Sequence, residues 1–142
     1  MELTQFTDYS LRTLIFVAMK KGELSSVREI ASAYSISENH LTKVVHSLAK
    51  LGYLQTFRGR GGGLDLGMDP SEIGIGDVVR RIENTAVVEC LRKEGGSCCI
   101  AGICKLQSAL HRATEAFFAE LDKLTLADLI ANEKELKSRL NK

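Results

Sequence analysis

All four cysteines of the 142-residue chain lie in one stretch, as Cys90, Cys98, Cys99 and Cys104. Cysteines that serve only as small hydrophobic residues are scattered through a core. Thiols grouped in a loop that also contains two adjacent glycines suggest instead that several sulfurs bind one object. The sequence therefore predicts a redox-active or metal-binding loop in the C-terminal half of the chain.

The spacing of these cysteines bears on what they bind. Structural zinc sites use cysteine pairs separated by about two to four residues, and the steps from Cys90 to Cys98 and on to Cys104 are wider. Wide spacing favours an iron–sulfur cluster held by three thiolates, with one of the adjacent Cys98 and Cys99 as a spare. A reversible thiol switch and a zinc site completed by His111 stay open on spacing alone.

An arginine- and glycine-rich segment forms a second candidate site. Arg58 and Arg60 lie between two predicted β-strands, residues 53–57 and 64–66, with glycines around them. Glycine lets a backbone approach a phosphate closely, and arginine is favoured in a narrow minor groove. A flexible, soluble hairpin loop is the alternative. Next to a helix-turn-helix, this hairpin is interpreted as a DNA-binding wing.

The elements that position this hairpin follow from hydrophobic spacing and capping residues. A first amphipathic helix is predicted over residues 8–20. Ser26 and Glu29 form a capping box that begins a second, short helix. Ser37 caps a third helix, and Gly52 ends it. Helix, short helix, turn, helix and hairpin is the order of a winged helix-turn-helix.

The third helix is predicted to lie in the major groove of DNA. Its outward side chains include groups that pair with base edges or phosphates, although an ordinary solvated helix face shows similar residues. The predicted DNA-binding residues of the whole domain are Arg28, Ser37, Glu38, Asn39, His40, Thr42, Lys43, His46, Arg58 and Arg60.

The C-terminal half is predicted to contain a short helix over residues 77–83 and a long helix from about Cys104. The long helix has a repeating apolar stripe: Leu106, Leu110, Ala113, Phe117, Leu121 and Leu124. A small winged domain cannot cover this stripe, so pairing with a second copy is favoured over packing on its own domain. Residues 132–142 are expected to form a frayed polar tail.

The predicted fold class is mainly α. Residues 1–70 form the winged helix-turn-helix domain, and residues 71–142 form the cluster-binding loop and a long C-terminal dimerisation helix. A net charge of only +1 excludes DNA binding by bulk charge alone. Without a membrane-spanning run or a signal-peptide pattern, the chain is expected to be cytoplasmic, where thiols stay reduced. No nucleophile–base pair or phosphate loop favours an enzyme.

Six motifs occur in an order that resembles one bacterial family, the winged-helix regulators that carry iron–sulfur clusters. They are LTQFTDYSLR at residues 3–12, RGRGGGL at 58–64, IGDVVR at 75–80, VEC at 88–90, CCIAGICKL at 98–106 and LTLADL at 124–129. Within that family the resemblance is to the nitric-oxide-sensitive repressors. It implies a homodimer that represses transcription from palindromic operator DNA. A regulator that responds to iron–sulfur status or oxidative stress is the alternative.

The resemblance also implies a set of ligands. Cys90, Cys98 and Cys104 match the family's ligands to a [2Fe–2S] or [4Fe–4S] cluster, although a longer loop leaves an exchange of Cys98 for Cys99 open. Asp8 matches an aspartate that the other subunit contributes in some members. A carboxylate in the first turn of a helix also needs no metal, because the helix dipole stabilises it.

Overall fold

The computed structural model describes residues 2–92 and 94–140, which form a mainly helical chain with one two-stranded sheet. The elements in chain order are α1 (Gln5–Met19), α2 (Val27–Tyr34), α3 (Glu38–Lys50), β1 (Leu54–Phe57), β2 (Gly63–Leu66), α4 (Ile75–Ile82), α5 (Lys105–Leu121), α6 (Leu126–Leu129) and α7 (Glu133–Leu140). Two short 3-10 turns lie at Pro70–Glu72 and Glu89–Leu91. The predicted mainly α class and the order of a winged helix-turn-helix are confirmed.

Local capping residues set the starts of the first two helices. α1 begins earlier than predicted, because the hydroxyl of Thr4 accepts the backbone N–H of Thr7 at 3.3 Å. The capping box of α2 is confirmed. Ser26 Oγ accepts the N–H of Glu29 at 3.1 Å, and Glu29 Oε2 accepts the N–H of Ser26 at 2.7 Å. These contacts satisfy donors that a helix start otherwise leaves free.

The third helix has the predicted bounds with one difference in its cap. Ser37 occupies the N-cap position, but its side chain makes no capping hydrogen bond. Gly52 follows the helix with a φ of +84°, a left-handed conformation that glycine adopts without strain. The inward stripe of α3 is fully or nearly fully buried, as predicted: Leu41, Val44, Val45 and Leu48.

The two strands form an antiparallel hairpin that is tied to the helices. Leu54 pairs with Leu66, and Phe57 pairs with Gly63 next to the tip. On its other edge, β2 is joined to a third segment: the backbones of Ser25 and Leu64 exchange two hydrogen bonds, of 2.9 and 2.7 Å. The part of β2 next to the hairpin tip is therefore fixed to the segment that precedes α2.

One hydrophobic core draws on both halves of the chain. Leu14 and Leu41 from the N-terminal half are fully buried together with Ile73, Val78 and Leu126 from the C-terminal half. Since the core is continuous, the winged domain is held rigidly against α4 and α6. The division into residues 1–70 and 71–142 stays a prediction.

The expected frayed tail is wrong for most of its length. Residues 133–140 form α7, whose Leu140 packs against the core. Glu133 forms ion pairs with Lys21 and Lys137. Hydrogen bonds from Lys137 and Lys21 lower the pKa of Glu133 to about 2. The sequence of α7 is polar because ion pairs, more than buried apolar side chains, hold this helix in place. Residues 141 and 142 of the predicted tail lie outside the described residues.

The apolar stripe predicted along α5 divides into two faces. Leu110, Phe117 and Leu121 are half-buried on the face that carries the buried Phe118. The adjoining face exposes what we call the alanine stripe: Leu106, Ala109, Ala113 and Ala116. Leu124 lies beyond the end of the helix. No helix in the described part of the chain is long and apolar enough to cross a membrane.

Candidate functional site

The outward side of α3 carries the polar residues predicted to contact DNA. We call this set the recognition face, and all its members are exposed: Glu38, Asn39, His40, Thr42, Lys43 and His46. The Thr42 hydroxyl donates to the Glu38 carbonyl at 2.8 Å. Arg28 of α2 is also exposed, with its Nε 3.8 Å from Glu38 Oε1. Arg28 and the recognition face therefore lie on one polar surface.

The hairpin tip is a tight turn that presents two arginines. Gly59 and Gly61 have φ values of +90° and +78°, which side chains rarely allow. A Cβ atom on Gly62 would lie 2.2 Å from the Phe57 carbonyl oxygen. Glycine is thus required for the turn itself. Arg58 and Arg60 are both exposed on it, as a DNA-binding wing requires.

The structure brings Cys90 and Cys104 into one hydrogen-bonded unit. Cys104 is the N-cap of α5, and its Sγ accepts the backbone N–H of Gln107 at 3.4 Å. The side-chain amide of Gln107 donates to the Cys90 carbonyl at 3.2 Å. Both cysteines are half-buried. Gln107 therefore joins two of the predicted ligands, and the sulfur of Cys104 points at the positive end of a helix, which stabilises anionic ligands.

Cys98 and Cys99 lie apart from this unit, on the exposed part of the loop. All four cysteines are free thiols. Within residues 2–92 and 94–140, no three His, Cys, Asp or Glu side chains are close enough to hold a metal ion. The loop nevertheless passes close to Cys90, because a Cβ atom on Gly96 would lie 3.3 Å from the Cys90 backbone.

The donor set fits an iron–sulfur cluster in its chemistry. The chain offers free thiols, and thiolates are the ligands that such clusters use. Gln107 donates to the sulfur of Cys104 and to the backbone carbonyl of Cys90. Cys98 would reach the same centre on the exposed loop. Gln107 has a structural role in this site, because it links the start of α5 to the Cys90 segment.

Asp8 does not lie with the cysteines of its own chain. Its carboxylate forms an ion pair with Arg12, with one contact at 2.8 Å and a hydrogen bond from Arg12 Nε at 3.1 Å. Close to half of the Asp8 side chain is exposed. Within one chain the Asp8 carboxylate is paired with Arg12. Asp8 could bind a cluster only in a second subunit.

The sequence analysis did not identify Glu83, whose carboxylate contacts the start of α1. Oε2 of Glu83 accepts hydrogen bonds from Thr4 and Thr7 at the start of α1. A glutamate at the C-terminal end of a helix is a usable signal, because the helix dipole disfavours it and it needs another partner. Thr4, in the N-cap position before an amphipathic helix, is the other half of that signal.

The recognition face and the arginine-bearing hairpin define the class of protein. A helix with an exposed polar face, packed beside a short antiparallel hairpin on a three-helix core, is a winged helix-turn-helix DNA-binding protein.

Comparison with known proteins identifies the family. Residues 3–132 match the family described as "Rrf2: Iron-dependent Transcriptional regulator". The HTH-type transcriptional regulator NsrR of Bacillus subtilis (strain 168) is 51% identical over 138 residues, which cover 96% of this chain and 94% of that one. NsrR of Geobacillus kaustophilus (strain HTA426) is 48% identical, over 99% and 97% of the two chains. The chain belongs to the Rrf2 family of transcriptional regulators, and these relatives support a transcriptional repressor of the NsrR type.

Solved structures share this architecture. CymR of B. subtilis, described as the global cysteine regulator, has a TM-score of 0.73 and 28% identity, covering 93% of this chain and 98% of that one. IscR of T. potens has a TM-score of 0.72 at 23% identity, covering 95% and 90%. At 23% identity, the similarity to IscR shows a common fold and nothing more. Both are consistent with the winged-helix arrangement described above.

Proposed function

We propose that the chain is a homodimeric, nitric-oxide-responsive repressor that acts in the cytoplasm and binds palindromic operator DNA when it holds an iron–sulfur cluster. The observation that carries this proposal is the pair Cys104, at the start of α5, and Cys90, which Gln107 joins by hydrogen bonds, on a chain whose N-terminal part is a complete winged helix. The relatives named HTH-type transcriptional regulator NsrR support a repressor of that type. The response to nitric oxide is what the resemblance of the sequence motifs implies.

The winged domain would read DNA with two surfaces. The recognition face supplies Asn39, Lys43 and His46, which can pair with base edges or phosphates in the major groove. Arg58 and Arg60 would enter the adjacent minor groove or contact its phosphates. The whole chain has a net charge of only +1, so affinity would come from placed residues on two subunits rather than from bulk charge.

The alanine stripe supports a homodimer. Four small or aliphatic residues on one side of α5 are exposed, and Ile103 just before the helix has 83% of its surface exposed. Small residues allow two helices to approach closely, and a twofold pair would bury them. A twofold dimer also places two recognition helices on a palindromic operator.

Cys90, Cys98 and Cys104 would hold the cluster, and Asp8 of the partner subunit would be the fourth ligand. When bound, the cluster supplies iron that reacts with nitric oxide. The residues of the chain then have two arrangements. In one, three thiolates order the exposed loop and Asp8 is withdrawn from Arg12. In the other, Asp8 returns to the ion pair with Arg12 that the structure shows. The two arrangements would hold the winged domains differently.

Replacing Cys98 with alanine is expected to abolish cluster binding, whereas replacing Cys99 leaves it intact. The two residues are adjacent and equally exposed, so Cys99→Ala is a matched control for any effect on folding. Iron and acid-labile sulfide are measured on anaerobically purified protein, together with the visible absorbance. The wild-type iron count also decides between a [2Fe–2S] and a [4Fe–4S] cluster.

Three outcomes would contradict the assignment in different ways. Loss of iron in Cys99→Ala and not in Cys98→Ala would show that Cys99, and not Cys98, is the ligand. Wild-type protein that contains zinc and no sulfide would point to a zinc site. Colourless, metal-free protein whose DNA binding follows thiol oxidation would point to a thiol switch.

A further inference from the structure

The carboxylate of Glu83 links two segments that are distant in the chain. Its Oε2 accepts three hydrogen bonds: from the Thr4 backbone N–H at 2.8 Å, from Thr4 Oγ1 at 2.9 Å and from Thr7 Oγ1 at 2.7 Å. Glu83 immediately follows α4, and Thr4 and Thr7 lie at the start of α1. One oxygen therefore joins the C-terminal end of α4 to the N-terminal end of α1.

The electrostatics of both helices favour this contact over alternatives. A carboxylate at its own helix C-terminus is disfavoured, whereas the N-terminus of another helix attracts it. Thr7 is fully buried, so its hydroxyl depends on Glu83 and Thr4 for hydrogen bonds. Burial raises the pKa of Glu83, but the hydrogen bonds from Thr7 and Thr4 outweigh it and leave the pKa below the ordinary value. The group is therefore held as a charged acceptor.

The Glu83 side of the contact continues along the chain toward Cys90, and the α1 side leads to the recognition face. Beyond Glu83 the chain enters the segment that leads to Cys90, and Glu83 Oε1 accepts the N–H of Asn84 at 3.2 Å. On the other side, the N–H of Asp8 donates to the Thr4 carbonyl at 3.0 Å. The next residue, Tyr9, faces His40 of the recognition face, with ring centroids 6.5 Å apart. The contact is thus connected along the chain to the Cys90 segment on one side and, through Asp8 and Tyr9 of α1, to His40 of α3 on the other.

The rest of α4 is anchored elsewhere, which makes it a rigid base for this contact. The hydroxyl of Tyr53, next to β1, donates to Asp77 Oδ2 at 2.5 Å. Arg80 forms two hydrogen bonds with Asp122 after α5, at 2.6 and 2.7 Å. With the body of α4 held, a displacement of the segment after Ile82 would be passed to α1 through Glu83.

We propose that Glu83 is a positioning residue that transmits the state of the cysteine segment to the recognition face through the first turn of α1. This inference rests on the proposed function. It adds a specific residue pair, Glu83 with Thr7, that couples metal binding to DNA affinity without touching metal or DNA.

The test is the ratio of operator affinities of the iron-loaded and metal-free forms, measured for Glu83→Gln and wild-type protein. Glutamine keeps the size but removes the charge and one acceptor oxygen. Whichever way its amide is turned, the N–H₂ group faces either the donors of Thr4 and Thr7 or the N–H of Asn84. We expect the ratio to shrink roughly tenfold, within the range that single residues contribute to coupling. Iron content per chain should be unchanged. In the metal-free protein, amide hydrogen exchange at Thr7 and Asp8 should become faster.

Two further variants complete the design. Glu135→Gln removes an exposed carboxylate of α7 that takes no part in this contact, so it should leave the ratio unchanged. Thr7→Val removes the other side of the contact, and its effect on the ratio should not add to that of Glu83→Gln. Thr7→Val also provides the test if Glu83→Gln does not fold.

Several outcomes overturn the inference. An unchanged ratio in Glu83→Gln refutes it, and so does a smaller ratio that results from lost iron. Equal loss of affinity in both forms, with a lower unfolding temperature, would show a merely structural role and also refute it. If wild-type protein itself shows no difference between the two forms, the proposed function fails, and this inference with it.

Discussion

Alanine at both Arg58 and Arg60 is expected to weaken operator binding roughly 100-fold while leaving the fold intact. Each arginine at a groove or phosphate is worth about 1–3 kcal/mol of binding free energy. Both side chains are exposed at the hairpin tip, and the turn is set by glycines rather than by the arginines. Fluorescence anisotropy with labelled operator DNA measures the loss, and thermal unfolding checks the fold.

The salt dependence of the same variant separates placed contacts from bulk charge. The slope of log affinity against log salt should fall by about 0.9 for each phosphate contact that is lost. A double variant of α7, Lys134→Ala with Arg139→Ala, removes the same charge from exposed positions away from the wing and should change affinity little. An equal loss in both double variants would show that the wing has no specific role.

Glutamate at Ala113 is expected to give a monomer that binds the full operator on the order of 100-fold more weakly. Ala113 lies in the middle of the alanine stripe and is exposed in the single chain, so the substitution should not disturb the fold of one subunit. In a twofold dimer it would place two like charges in an apolar interface. Loss of the dimer removes the gain from binding two half-sites together.

Size-exclusion chromatography with light scattering, followed by anisotropy, checks this expectation. Ala119→Glu is the matched control, because Ala119 is exposed on another side of the same helix. A dimer that persists in Ala113→Glu would exclude the alanine stripe as the interface. A monomer that keeps full operator affinity would exclude the need for a dimer.

Local signals in the sequence predicted much of this structure. The capping box of Ser26 and Glu29 and the left-handed Gly52 involve only neighbouring residues, so their outcome does not depend on the rest of the fold. The inward stripe of α3 and the glycine-rich hairpin were predictable for the same reason. The recognition face followed directly, since it is the remainder of α3.

Contacts between distant residues could not be predicted in this way. α7 is held partly by Lys21, which lies at the other end of the chain from Glu133. The stripe along α5 divides because Phe118 packs under Arg80 of α4, with the guanidinium 4.4 Å from the ring centroid. Glu83 and Thr4 are 79 residues apart. The last two depend on the placement of α4, and hydrophobic spacing predicts none of the three contacts.

Sequence and structure supply different parts of the case for the proposed cluster ligands. The structure joins Cys90 and Cys104 through Gln107, and it leaves Cys98 on the exposed loop and Asp8 with Arg12. The resemblance supplies the proposal that all four meet at one centre. A single chain cannot bring them together if Asp8 comes from the partner subunit, so the proposal depends on the dimer.

The most direct test of the whole account is a titration of the anaerobic protein–operator complex with nitric oxide, followed by absorbance and anisotropy together. The account predicts that the visible absorbance bleaches and that operator affinity falls at least about tenfold over the same range of added nitric oxide. It also predicts that metal-free Cys98→Ala protein shows neither change. Bleaching of the absorbance with full operator affinity retained would contradict the central claim that the cysteine-held iron controls DNA binding.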